Sequence, residues 1–212
     1  MYQFTTYVTD AGFVFIIGEL KYFGEDGNII IRTSLGDLSA CVFSPDSFGG
    51  RPVVQTAAGW SNALALTDTG MVFTWGRSDL GQLGRPHLSG CHSGSPRTPD
   101  FDPVPGRVSF GDDDGSVTRI VDIRAGSEHF LAVDSDGNLW TWGWNEHGMC
   151  GVPTNTNSGN DSLDYSSGNK HCPCVIQPSR VNLLPVSSCQ GLRPATTRLI
   201  GAGYGHSFAC IV

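Results

Sequence analysis

The 212-residue sequence predicts an all-β chain built from repeated four-stranded units. Three observations carry this reading. A block of about twenty residues returns without a gap 67 positions later, glycine reaches 28 residues, and apolar and polar residues alternate within each copy. Glycine at about twice ordinary usage disfavours helices and suits short strands joined by tight turns.

The block is residues 57–76 (AAGWSNALALTDTGMVFTWG), which aligns with residues 124–143 (RAGSEHFLAVDSDGNLWTWG). The glycines at Gly81, Gly84 and at Gly148, Gly151 continue the same register. A third copy opens at residues 201–212 (GAGYGHSFACIV), 77 positions on from the second, and a worn copy lies at residues 5–18, 58 positions before the first. Four-stranded meanders repeated around an axis are the blades of a β-propeller. Less than roughly a tenth helix is expected, against about a third in ordinary domains.

Taken along the chain, residues 1–52 read as a degenerate first blade, and 53–84 as a clear repeat. In the latter, strand A spans Val53 to Ala57, strand B Asn62 to Thr67 and strand C Met71 to Trp75, with strand D shortly after Gly84. Residues 85–118 and 152–198 are rich in Gly, Pro, Ser, Asn and Asp and read as surface excursions. Between them 119–151 is the second clear repeat, where Asp136-Gly137-Asn138 signals a hairpin. Residues 199–212 are a partial repeat. The whole reads as one incomplete propeller of three to four blades.

The net charge of −7, with no cluster of Lys or Arg, disfavours docking on a nucleic-acid backbone. The longest apolar stretch, 11–18, is too short for a membrane helix, and no membrane insertion is expected. Seven cysteines without framework spacing, and no signal peptide, suggest reduced thiols in the cytosol or nucleus. Cys91-His92, His171-Cys172, Cys174 and Cys189 lack metal-knuckle spacing, so no metal is assigned. The glycines around Gly203 precede no helix, which removes the basis of a phosphate loop. No nucleophile–base set or paired carboxylates emerge; no enzyme and no cofactor are expected.

Recurrence sorts the remaining residues. Trp75, Trp140 and Trp142 return in strand C and read as packing between blades. Gly59, Gly126 and Gly203, with Gly76 and Gly143, mark positions needing positive φ or a close approach. His129 and His206 share one position, which suits a structural hydrogen bond at the A–B corner. Positions where the copies differ on exposed corners are candidate partner contacts. Because strands alternate in direction, the A–B and C–D corners share one rim. That rim holds Trp60, Glu128 and Tyr204 together with Trp144, Asn145, Glu146 and His147.

The tract from Ala125 to Gly148, A-G-x-x-H-x-L-A-V-x-x-D-G-x-L-W-x-W-G-x-N-x-x-G, resembles the repeat of the regulator-of-chromosome-condensation family. The resemblance implies seven blades, which at about 50 residues each need about 350; the expectation is therefore the C-terminal half of such a propeller. The run from Trp142 to Gly151 resembles the branch of the fungal alpha-tubulin suppressor and the secretion-regulating guanine-nucleotide exchange factor. That branch implies a non-enzymatic adaptor partnering a CSL-type zinc protein in diphthamide synthesis and Elongator-dependent tRNA wobble-uridine modification. Two other roles stand beside it: nucleotide exchange on a Ran-type small GTPase, and a scaffold in secretion. The exchange role would use a β-wedge, and no wedge or basic docking surface is visible in the sequence.

Overall fold

A computed structural model gives the architecture and describes residues 4–18, 29–32, 39–85, 101–111, 117–153, 173–183, 186–188, 191–193 and 195–212. The described chain is all-β apart from one 3-10 turn at Pro45–Phe48. The first sheet contains β1 (Phe4–Val8), β2 (Val14–Gly18), β3 (Ile29–Arg32) and β4 (Ser39–Phe43), in the order β1-β2-β4-β3. The second is a plain meander of β5 (Val53–Ala58), β6 (Asn62–Thr67), β7 (Val72–Arg77) and β8 (Phe101–Arg107). The third repeats that meander with β9 (Ile120–Ala125), β10 (His129–Asp134), β11 (Leu139–Trp144) and β12 (Cys174–Arg180). A short hairpin of β13 (Val186–Ser188) and β14 (Gly191–Arg193) precedes a last two-stranded unit, β15 (Thr197–Ala202) and β16 (Ser207–Ile211).

The repeat register is written into the backbone bonds between units. The carbonyls of Gly12, Gly70 and Gly137, each in a B–C turn, accept the N–H of Val53, Ile120 and Thr197, each at the start of the next unit. All three glycines have φ near +80°, which a residue with a Cβ adopts only at a cost. Strands β5, β9 and β15 lie side by side, so successive sheets stack face to face around a common centre.

Between the faces lie three apolar layers. Val14, Ile16, Cys41 and Phe43 of the first sheet pack on Ala63, Ala65, Phe73 and Trp75 of the second, with Phe48 of the 3-10 turn filling the gap. Leu64, Leu66 and Val72 pack on Ile123, Phe130, Ala132 and Trp142 of the third. Leu131, Val133 and Leu139 then pack on Ile200, Ala202 and Ala209. Strands β6 and β10 are buried along their whole length because both their faces are covered.

The fourth strands depart from the expectation. Strand D does not follow Gly84 directly but begins at Phe101, inside the segment read as a surface excursion. Residues 85–118 also give the core Val108 and Phe110, and 152–198 gives it Val175. These strands escape a sequence reading because β8 carries Pro103 and Pro105, and β12 carries Pro178. An edge strand needs ladder bonds on one side only, so proline is tolerated there.

Candidate partner-binding rim

Each A–B corner is built on a glycine and the residue three places on. The N–H groups of Gly59, Gly126 and Gly203 donate to the carbonyls of Asn62, His129 and His206, at 2.8–2.9 Å. None of the three glycines has positive φ; what they supply is room. A Cβ on Gly126 would lie 2.1 Å from His129 Cε1 and 2.7 Å from the Gly203 carbonyl, and one on Gly59 would lie 2.3 Å from Asn62 Oδ1. His129 is fully buried, with Nε2 2.9 Å from Ser207 Oγ of the next unit, and burial pulls its pKa down to about 4. The histidine is a neutral structural group, as its recurrence suggested.

The corners are linked to one another. Trp60 N–H donates to the Ser127 carbonyl at 2.8 Å, and Ser127 Oγ donates to the Tyr204 carbonyl. This chain of bonds brings the rings of Trp60 and Tyr204 into an edge-to-face pair with centroids 4.7 Å apart, although 144 positions separate them in sequence. Trp60 is half-buried and Tyr204 is 64% exposed.

The C–D corners join the same end of the molecule, since Arg77 N–H donates to the Ser61 carbonyl and Trp144 N–H to the Glu128 carbonyl, both at 2.9 Å. Gly76 and Gly143 enter these corners at φ near +100°, and a Cβ on either would meet an A–B corner carbonyl at 2.5 Å. Beneath them, Thr74 and Thr141 donate to the Leu83 and Cys150 carbonyls at 2.7 Å, closing both corners in the same way.

Two expected rim residues lie inside. Glu128 is 3% exposed, and its carboxylate accepts from Gln82 Nε2 at 2.9 Å, Asn62 Nδ2 at 3.1 Å and Arg77 Nη1 at 3.3 Å. It is an interlock between the second and third sheets, because charge so deeply desolvated needs partners. Burial raises its pKa, while the amides and Arg77 act in the opposite direction. Asn145 is also buried. Its Oδ1 accepts from Cys150 N–H and its Nδ2 donates to the Val152 carbonyl, both at 2.9 Å, so it shapes its own corner. Glu146 and His147 are exposed, and half-buried Trp144 holds the His147 ring edge-on at 6.0 Å. The sequence did not single out Gln82 or Asn62. The signal was the paired change of Ser61 to Glu128 and Arg77 to Trp144 between copies, which marks a charge pair moved across a junction.

Among the described residues no three His, Cys, Asp or Glu side chains cluster as a metal site. Cys174 is buried; Cys91, His92, His171, Cys172 and Cys189, like the acidic run 112–114, lie outside the described residues. Burial pushes the Cys41 and Cys150 thiols up to about 12, which leaves them protonated and unreactive.

Two models of the regulator of chromosome condensation (RCC1) repeat match this chain, one at residues 53–82 and 120–148, the other at 69–133. The chain contains RCC1 repeats. It is 34% identical over 209 residues, 95% of its length, to the secretion-regulating guanine nucleotide exchange factor of Mus musculus, and spans 38% of that protein. The solved structures of human WBSCR16 and of Prp20p from Saccharomyces cerevisiae, the latter described with its binding to Gsp1p and histones, superpose with TM-scores of 0.65 over 98% of the chain. Identity to each is 20%, and the chain spans 42% and 41% of them. These RCC1 repeats therefore adopt the propeller architecture, and the 212 residues correspond to about two fifths of such relatives.

Proposed function

We propose that this RCC1-repeat chain acts by binding protein partners at the rim of A–B and C–D corners, with no chemistry of its own. The observation that carries the reading is the Trp60–Tyr204 pair, presented by three corners bonded in series, with the exposed Glu146 and His147 on the C–D corner that is bonded to the middle one. Large aromatic groups held on a rigid frame are the side chains that dominate protein–protein affinity.

Two partner classes follow. The name of the mouse relative and the binding of Prp20p to Gsp1p favour exchange on a Ran-type small GTPase. The run from Trp142 to Gly151 supports the adaptor role with a CSL-type zinc protein in diphthamide synthesis and tRNA modification. Seven cysteines without framework spacing suit a place in the cytosol or nucleus for either role.

The test is calorimetric titration of the purified chain with each partner, together with release of a fluorescent nucleotide from the GTPase. Binding with accelerated release assigns exchange, and binding of the zinc protein without acceleration assigns the adaptor role. A folded chain that binds neither overturns both.

A further inference from the structure

Ser127 and Glu128, at the corner between β9 and β10, hold the rim aromatics of three different corners. The Ser127 carbonyl accepts the N–H of Trp60 at 2.8 Å, and the Glu128 carbonyl accepts that of Trp144 at 2.9 Å. The Ser127 hydroxyl donates to the Tyr204 carbonyl. This dipeptide is itself pinned by the buried Glu128 carboxylate, which reaches into the preceding unit and accepts from Gln82 at 2.9 Å, Asn62 at 3.1 Å and Arg77 at 3.3 Å. Those partners are braced in turn. Arg77 and Gln82 also donate to Asp79, at 2.6 and 3.2 Å, and Gln82 Oε1 accepts the Leu80 N–H at 2.8 Å. One side chain therefore joins an A–B corner of the third unit to the B strand and the C–D corner of the second.

The fold does not require a carboxylate at this place. The equivalent residues are Ser61 one unit earlier and Gly205 one unit later, and the position of Arg77 is taken by Trp144 in the next unit. All three A–B corners nevertheless close with the same bond, from a glycine N–H to the carbonyl three places on. Desolvating a charged pair costs most of what its attraction returns, so such a network adds little stability over a neutral neighbourhood. What its directional bonds do is fix one arrangement. Here the arrangement they fix is the backbone from which Trp60, Trp144 and Tyr204 project.

We propose that Glu128 is the positioning residue of the rim: it fixes the backbone that holds the three aromatics, and so sets the rim's affinity for a protein partner without touching it. At 3% exposure it offers a partner no surface of its own. A contact surface keeps its productive geometry only where a rigid supporting shell holds it. The proposal rests on the reading of the rim as the binding surface, yet the placement of the aromatics is measurable with no partner present.

The first measurement is hydrogen exchange of single backbone amides by NMR, at one pH, on the wild type, on Glu128→Ser and on the milder Glu128→Gln. Serine is the residue of the preceding unit, and circular dichroism checks that each variant keeps its strands. The Trp60 and Trp144 amides should exchange about tenfold faster in Glu128→Ser, and by a smaller factor in Glu128→Gln. The Thr197 amide, bonded to the Gly137 carbonyl at the opposite rim, should keep its wild-type rate. Unchanged Trp60 and Trp144 amides overturn the proposal. So does an equal acceleration at all three, because Glu128 would then supply only overall stability. The second measurement is calorimetric titration with the Ran-type GTPase and with the CSL-type zinc protein. Whichever binds the wild type should bind Glu128→Ser about tenfold more weakly, and Trp60→Ala should lose less affinity in the Glu128→Ser chain than alone. Loosened amides with undiminished affinity overturn the link to binding. If neither protein binds the wild type, the reading of the rim falls, and the amides alone decide whether Glu128 positions the aromatics.

Discussion

The indole N–H of Trp142 donates to the backbone carbonyl of Gln82 at 2.9 Å, crossing from the third sheet to the second. The ring itself lies fully buried between Phe130 at 5.6 Å and Phe110 at 5.7 Å. One side chain therefore carries apolar packing and a directional bond across the same junction. Trp75 occupies the equivalent place one unit earlier, against Phe43 and Phe48, and its Nε1 has no acceptor among the described residues.

Trp142→Ala removes both contributions and should cost about 4 kcal/mol of stability by denaturant unfolding, as expected for a large aromatic truncated in a core. Trp144→Ala, two residues on and half-buried, should cost well under half of that. If Trp144 anchors a partner, the same change weakens binding by about 2 kcal/mol in calorimetry. Equal loss of stability from both variants would make Trp144 a packing residue.

Acid should destabilise the fold through His129. Its folded pKa of about 4 lies below the ordinary 6.5, so the unfolded chain binds the proton more readily. The contribution is complete above pH 6.5 and is lost as pH falls toward 4, to a total on the order of 3 kcal/mol. Asn62 fills the same place one unit earlier, which makes His129→Asn the natural test. Melting temperatures of the variant between pH 7 and pH 4.5 should fall less steeply than those of the wild type. Parallel curves would assign the acid sensitivity to another group.

Glu128 titrates with the opposite sign. Its folded pKa is raised by burial, so its contribution is complete below the ordinary carboxylate value of 4.5 and falls away as pH rises through the raised value. Glu128→Gln removes that dependence, and its stability relative to wild type should improve as pH increases. Glu128→Ala is different, because it leaves Arg77, Asn62 and Gln82 without their shared acceptor, at a cost of about 3 kcal/mol. A Gln variant that weakens against wild type with rising pH would show the carboxylate to be held ionised.

Two glycines separate space from backbone strain. Gly143→Ala combines φ near +100° with a Cβ 2.5 Å from the Glu128 carbonyl, whereas Gly49→Ala combines φ near +70° with nothing within 4 Å. Gly49→Ala should cost about 1 kcal/mol, the conformational term alone. Gly143→Ala should cost at least twice that, since β10 must shift away. Similar losses in denaturant unfolding would mean that the corner relaxes freely.

Much of this was legible in the residues themselves. The 67-residue repeat placed β6 correctly and β5 and β7 to within about two residues, because alternation and turn chemistry are local properties. Trp75 and Trp142 were legible as core for the same reason: residues that recur at matching places face matching neighbours. The strands β8 and β12 were not, since their identity as strands comes from the neighbour they pair with and their prolines argue locally against it. Nor could sequence place Glu128 and Asn145, polar residues at corners that read as exposed. Whether a polar side chain meets solvent or an acceptor depends on the adjoining unit, and here Gln82, Asn62 and Arg77 draw Glu128 inward. The meeting of Trp60 with Tyr204 belongs to the same class. It arises from the curvature that stacks three corners around one centre, which the repeat implies but only tertiary structure converts into a distance.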